Sequence, residues 1–199
     1  MMSKLRKIGS ELLILGGVIV FSLAARSVIA DHYYIPSESM EYSLRVGDRV
    51  VVDKRAYGLR LPFTNIELIE GRSPAPGEIV VFDSPESGVR LIKRVVAIGG
   101  DRVEVRGGKL FINGESLLSD TSADLEIFGE RRALLNLAAG GGPDMQPQIV
   151  PAGTVMVMGD NRGNSRDSRA FGFIPVDDIY GCAFRLYYRR GEGFEWKPI

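Results

Sequence analysis

Val89-Arg90-Leu91-Ile92-Lys93-Arg94-Val95-Val96-Ala97-Ile98, stopped by Gly99-Gly100-Asp101, is the stretch on which the reading of this chain turns. Its length, its β-branched residues and its glycine stop predict a strand. Successive side chains of a strand point to opposite faces, so Lys93 shares a face with Leu91 and Val95, and Arg94 shares the other with Ile92 and Val96. A lysine held on an apolar face is desolvated, which disfavours the ammonium form and lowers its pKa. Moving that pKa from about 10.4 toward 8 costs roughly 3 kcal/mol, a burden a small domain seldom carries without a use for a neutral amine. Arg94 is no candidate base, because a guanidinium stays protonated. The competing reading is an edge strand whose lysine reaches solvent, and this segment alone does not separate the two.

Working outward, the neighbours also read as strands. Arg45-Val46-Gly47-Asp48 is a turn leading into Arg49–Val52, and Tyr57 to Ser73 is a mixed loop. Pro76-Gly77-Glu78 turns into Ile79-Val80-Val81-Phe82. The strand pattern resumes at Arg102–Val105, and Gly107-Gly108 joins it to Leu110-Phe111-Ile112 as a hairpin closed by Asn113-Gly114. Leu117 to Met145 is the least regular stretch. Within it, Ala138-Ala139-Gly140-Gly141-Gly142-Pro143 reads as a flexible connection and lacks the Lys-Ser/Thr ending of a phosphate loop. Thr154–Met158 and a final strand, Ile179 to Tyr188, complete the pattern. No internal repeat is present. The fold expected is mostly β: a curved antiparallel sheet domain with a small inserted hairpin and irregular region at about 101–153.

The chain has 199 residues, room for one anchored domain. Its 25 basic and 25 acidic residues cancel, which argues against a dedicated nucleic-acid binder. Cys182 is the one cysteine, so neither an intrachain disulfide nor a cysteine-built zinc site can form. His32 is the one histidine, and a Ser-His-Asp triad would have to use it. Its position just after an apolar segment suits an interfacial histidine better than a base. No metal or cofactor is expected, and the chemistry must lean on Ser, Lys, Asp or Arg.

Ile8 to Ala30 is apolar apart from a few small or polar residues, Glu11 near its start and Arg26, and is long enough to span a bilayer of about 30 Å. Arg26 can snorkel to the headgroups. Lys4, Arg6 and Lys7 precede the span and keep that end in the cytoplasm. The expectation is a single-pass anchor over 1–30, with 31–199 outside the cytoplasm and the lipid bilayer as a partner. A cleaved leader ending at Val28-Ile29-Ala30 is the rival reading. Arg26 and the bulky residues that follow favour an uncleaved anchor.

Two further segments carry reactive side chains. Ile35-Pro36-Ser37-Glu38-Ser39-Met40 places two serines at alternate positions beside a proline, so that one hydroxyl can attack while the other donates a hydrogen bond. An ordinary membrane-exit loop would look the same. Met158-Gly159-Asp160-Asn161-Arg162-Gly163-Asn164-Ser165-Arg166-Asp167-Ser168-Arg169 follows an apolar strand and reads as a loop ordered by its own hydrogen bonds. Asp160 and Asp167 can pair with its arginines.

Taken together, these segments resemble the boxes of type I signal peptidases, which remove signal peptides from exported proteins. The resemblance rests on Pro36–Met40, Gly77–Phe82, Ile92–Val96 with Gly100-Asp101, Met158–Arg162 with Ser165, Asp167, Ser168 and Arg169, and Gly172–Pro175. It implies Ser39 as nucleophile and Lys93 as its base, with the Ser37 hydroxyl and the Ser39 amide as oxyanion hole. It also implies that Ser165 orients the Lys93 amine, and that Asp167 pairs with Arg169 and with Arg94. The implied substrates are signal-peptide-bearing preproteins cut after Ala-X-Ala-type sites, at the cell membrane. The sequence departs from the family at Tyr42-Ser43, where Pro-Thr is usual, at Ala97-Ile98-Gly99-Gly100-Asp101, and at Gly163. Two other readings use the same residues: a Ser/Lys peptidase of a conjugation-type system, and a non-catalytic anchored binding module.

Overall fold

In a computed structural model of the chain, the structure describes residue 16 and residues 30–60, 67–69 and 71–199, with backbone only for 59–60 and 67–69. The expected anchor, Ile8 to Ala30, lies outside the described residues except for Gly16 and Ala30. Among the described residues no helix is long and apolar enough to cross a membrane.

The molecule is mostly β and antiparallel. Its main sheet runs in the order Ala30–Tyr34, Arg49–Asp53, Ile179–Arg189, Ile79–Asp83, Arg90–Ile98, Thr154–Met158 and Ile174–Pro175, with Gly193–Pro198 added to Ile179–Arg189. Arg90–Ile98, which bears Lys93, lies inside this sheet. Along one edge it pairs with Ile79–Asp83, placing Val80 opposite Lys93 and Ile79 opposite Arg94. Along the other it pairs with Thr154–Met158 only from Ile98 back to Arg94. Before Arg94 that second edge has no strand on it among the described residues.

Burial follows from this pairing. Val80, Phe82, Val95, Val155, Val157, Ile174 and Ile179 pack on the face that carries Lys93. Ile35, Met40, Leu44, Val50, Ile79, Val81 and Ile92 form a second cluster. The strands of the Ile79–Asp83 and Arg90–Ile98 pair are therefore apolar on both faces, which explains their near-continuous hydrophobic runs.

Between Ile98 and Thr154 the chain builds two small sheets. Arg102–Arg106, Lys109–Ile112 and Glu115–Ser116 pair with Met145–Ile149, and Leu118–Ser119, Ser122–Phe128 and Arg131–Leu134 make the other. Gly107 and Gly108 have φ of +57° and +78°, the left-handed pair that a two-residue hairpin turn requires. The stretch expected to be irregular, Leu117 to Met145, is thus paired strand with short turns as far as Leu134, and holds no strand from Leu135 to Asp144. Its pattern escapes an apolar-period reading because the inward position of Ser122–Phe128 beside Phe128 is Glu126, a charged residue, fully buried. Two other differences arise at the sheet margins. Ala30–Tyr34 is an exposed edge strand with little apolar pattern, and Gly193–Pro198 follows Ile179–Arg189, which is therefore not the last strand.

Phe82 is fully buried and meets Phe171 edge to face at 6.1 Å between ring centroids. Phe82→Ala is expected to lower stability by about 3–5 kcal/mol, read from urea unfolding of the two proteins. A loss under about 1 kcal/mol would contradict this packing.

Candidate active site

Ser39 is carried by a single 3-10 turn, Glu38–Met40, entered through extended Ser37. The turn is pinned from below: Met40 and Leu44 are fully buried beside Ile35, and the Leu44 amide donates to the Met40 carbonyl at 2.8 Å. These apolar anchors hold Ser39 against the sheet. Lys93 Nζ donates to Ser39 Oγ across 2.6 Å, and Ser37 Oγ donates to the same oxygen at 3.3 Å. Lys93 is 3% exposed and Ser39 7%.

The electrostatics follow from this burial. Desolvation pushes the Lys93 amine down from 10.5 to about 8; Asp167 and Asp160 oppose that change and Arg169 reinforces it. Of the two sequence readings of Lys93, the desolvated one matches the structure.

The loop after Met158 closes around the pair. The Asn161 amide donates to the Ser39 carbonyl at 3.1 Å, tying the loop to the serine backbone. Asp160 takes a two-pronged contact from Arg94, at 2.9 Å to Nε and 2.7 Å to Nη2, and Arg94 also donates to the Gly77 carbonyl and to Ser43 Oγ. The expected Arg94–Asp167 pairing is therefore corrected. Arg94 lies opposite Met158 in the sheet register, two residues from Asp160, which puts Asp160 within its reach. Asp167 instead pairs with Arg169 at 2.8 Å and accepts the Gly159 amide at 3.0 Å. Although desolvation opposes it, the Arg169 contact leaves the Asp167 carboxyl below its usual value.

Ser165 Oγ is buried, and no group meets it with hydrogen-bond geometry, Lys93 included. It nevertheless stands close enough to Asp167 to help stabilise that carboxylate. The hydroxyl is boxed in against Gly159 without a fixed partner. His32 lies on the exposed edge strand with its ring against Tyr187.

Ser37, Ser39, Leu91 and Lys93 line an open cleft of about 470 Å³, with Asn164 and Arg166 on its wall. Three positions that sequence reasoning did not assign belong to this arrangement. Asn161 acts through its backbone, which no side-chain pattern reveals. Arg162, fully buried, donates through Nε to the Gly159 carbonyl at the start of the loop. Gly159 is a spacer: a Cβ there would collide with Ser165 Oγ and with the Ser39 carbonyl.

A hydroxyl, an amine that burial makes easier to deprotonate and a second hydroxyl meet in an open cleft, a set able to attack a carbonyl without histidine or metal. Comparison with known proteins gives the following likenesses. The family described as "Signal peptidase, peptidase S26" matches residues 8–188. Signal peptidase I of Pseudomonas fluorescens is 36% identical, over 85% of this chain and 69% of its own. Signal peptidase I of Leptolyngbya laminosa is 34% identical, over 89% and 80%. A crystal structure of a signal peptidase I from Enterococcus faecalis V583 has 32% identity and a TM-score of 0.40, covering 56% of this chain and 97% of that one.

Gly159 has no positive φ, so alanine is allowed by the backbone and its only penalty is the collision. Gly159→Ala is expected to cut hydrolytic turnover about 100-fold or more, because a shift of roughly 1 Å between reacting groups costs that much. Turnover within about threefold of the parent, in protein folded by circular dichroism, would refute the spacer role.

Proposed function

The chain belongs to the signal peptidase family, peptidase S26, and we propose that it cleaves preproteins through a Ser39–Lys93 dyad at the outer face of a membrane. It is a serine endopeptidase, a hydrolase, of the signal peptidase I kind. One observation carries the dyad reading: an amine with its pKa pushed down to about 8 stands 2.6 Å from the Ser39 hydroxyl oxygen.

In the neutral state Lys93 takes the Ser39 proton as Oγ attacks the scissile carbonyl carbon. The Ser37 hydroxyl and the Ser39 amide donate to the oxygen that becomes negative. The Lys93 ammonium then returns its proton to the leaving amine, leaving an acyl-Ser39 ester. Water, losing a proton to Lys93, opens that ester, and Lys93 passes the proton to the departing Ser39 Oγ, which restores the free enzyme. Asp167–Arg169 and Arg94–Asp160 brace the loop.

The substrate lies extended along the edge beside Leu91–Lys93, which no strand among the described residues occupies, adding a strand to the sheet. Small residues at the first and third positions before the cut, the Ala-X-Ala pattern, suit a segment whose alternate side chains face the enzyme. Ile8 to Ala30 serves as the anchor, with its basic end in the cytoplasm.

Incubation of the detergent-solubilised protein with an Ala-X-Ala preprotein tests this reading. Ser39→Ala and Lys93→Ala are each expected to abolish cleavage, by about 1000-fold or more. Intact cleavage in either variant would end the dyad assignment, and no cleavage of a standard preprotein by the parent would favour a more specialised substrate.

The pH dependence has a definite sign. Only the neutral amine can take the proton, so kcat should rise with pH and level off above about 8, the folded value for Lys93. A rate still climbing toward pH 10.5, the value of an unperturbed lysine, would show the amine to be solvated in the working enzyme.

A further inference from the structure

The two small sheets between Ile98 and Thr154 send one charged side chain into the core behind the site. Glu126 and Arg162 are both fully buried, and Arg162 Nη1 donates to Glu126 Oε1 at 2.8 Å while Nη2 donates to Oε2. The same guanidinium donates to the Gly108 carbonyl through Nη1 and to the Gly159 carbonyl through Nε at 3.2 Å. Glu126 Oε1 also accepts the Leu110 amide at 3.2 Å. One ion pair thus links both small sheets to the start of the reactive loop.

Main-chain contacts run parallel to it. The Asn136 amide donates to the Asp160 carbonyl at 2.9 Å, and the Arg162 amide donates to the Asn136 carbonyl at 3.1 Å. Arg169 donates to the Gly141 and Arg162 carbonyls, each at 2.7 Å. The residue beside Arg162 is Asn161, whose amide holds the Ser39 carbonyl. A path of direct contacts therefore runs from Glu126 through Arg162 and Asn161 to Ser39.

We propose that Glu126 is a positioning residue for peptide cleavage: by gripping Arg162 it fixes the Asn161 amide on Ser39 and so sets the Ser39–Lys93 geometry. The proposal rests on the dyad reading above. Neither Glu126 nor Arg162 is among the charges that shift Lys93, which responds to Asp167, Asp160 and Arg169. A change at Glu126 therefore reaches the amine through the position of the loop. The sign of the response separates the two routes. A loosened loop readmits water to Lys93 and moves its titration up, whereas an unpaired Arg162 cation acting through space would move it down.

The test uses the full chain in detergent with an Ala-X-Ala preprotein, after Ser39→Ala has been shown to abolish cleavage. Glu126→Gln is expected to lower kcat about tenfold or more with KM within about twofold, and to shift the midpoint of the pH–rate profile upward. Tm is followed in parallel. A second variant, Glu126→Leu with Arg162→Met, removes the unpaired buried charge and is expected to regain Tm while kcat stays low. A purely structural pair gives a different result: Tm falls in Glu126→Gln, kcat per folded molecule and the pH midpoint stay at parent values, and the double variant behaves like the parent. That result overturns the proposal and leaves the dyad standing. Cleavage that survives Ser39→Ala would remove the dyad and this proposal with it.

Discussion

The Lys93–Ser39 contact depends on a sheet that keeps water away from an amine. Lys93 sits opposite Val80 and on the same face as Leu91 and Val95, so its four-carbon stem packs like an aliphatic residue and its nitrogen is left with a hydroxyl for company. A folded pKa near 8 against 10.5 in the unfolded chain means the unfolded state binds more protons throughout that window. Stability therefore rises with pH between those values, and below about 8 the fold carries the full cost, on the order of 3 kcal/mol. The apolar clusters on both faces of the central strands offset it.

Holding the amine in place is a separate task, and three buried arginine–carboxylate pairs address it. Arg94–Asp160, Arg169–Asp167 and Arg162–Glu126 all involve the loop after Met158, with side chains 3% exposed or less. Buried ion pairs contribute little net stability, because desolvation consumes most of the Coulombic gain. Geometry is what they supply. Arg94 ties the loop to the strand that bears Lys93, Arg169 folds the loop on itself, and Arg162 ties it to the inserted sheets. Each guanidinium also satisfies at least one backbone carbonyl, and two of those carbonyls, Gly159 and Arg162, belong to the loop itself.

Much of this was legible in the sequence wherever alternation is pure. Ile79–Phe82 and Leu91–Val96 announce strands, and the alternation rule alone puts Lys93 and Arg94 on opposite faces. Whether Lys93 was solvated could not be read from its own segment, because that depends on the turn carrying Ser39, which packs over it from far away in the chain. Arg94 went to the wrong aspartate for a related reason: Asp160 and Asp167 lie on one short loop, and only the register of Arg94 with Met158 decides between them. Glu126 was invisible because an inward glutamate erases the very period by which an inward position is recognised. Asn161 contributes an amide, and a pattern of side chains is silent about amides.

The open edge beside Lys93 and the closed loop behind it share one cause. Thr154–Met158 accompanies the Lys93 strand as far as Arg94, and there the chain must leave the sheet. Gly159 lets it leave at close range, since any larger residue would strike Ser39 and Ser165. From that point the chain packs over Ser39, while the strand edge next to Lys93 has no partner among the described residues. A longer Thr154–Met158 strand would cover that edge. A shorter one would take Asn161 off the Ser39 carbonyl. The strand length thus couples access to the cleft with the geometry of the reacting pair, and a glycine at the exit is what lets both be met at one position.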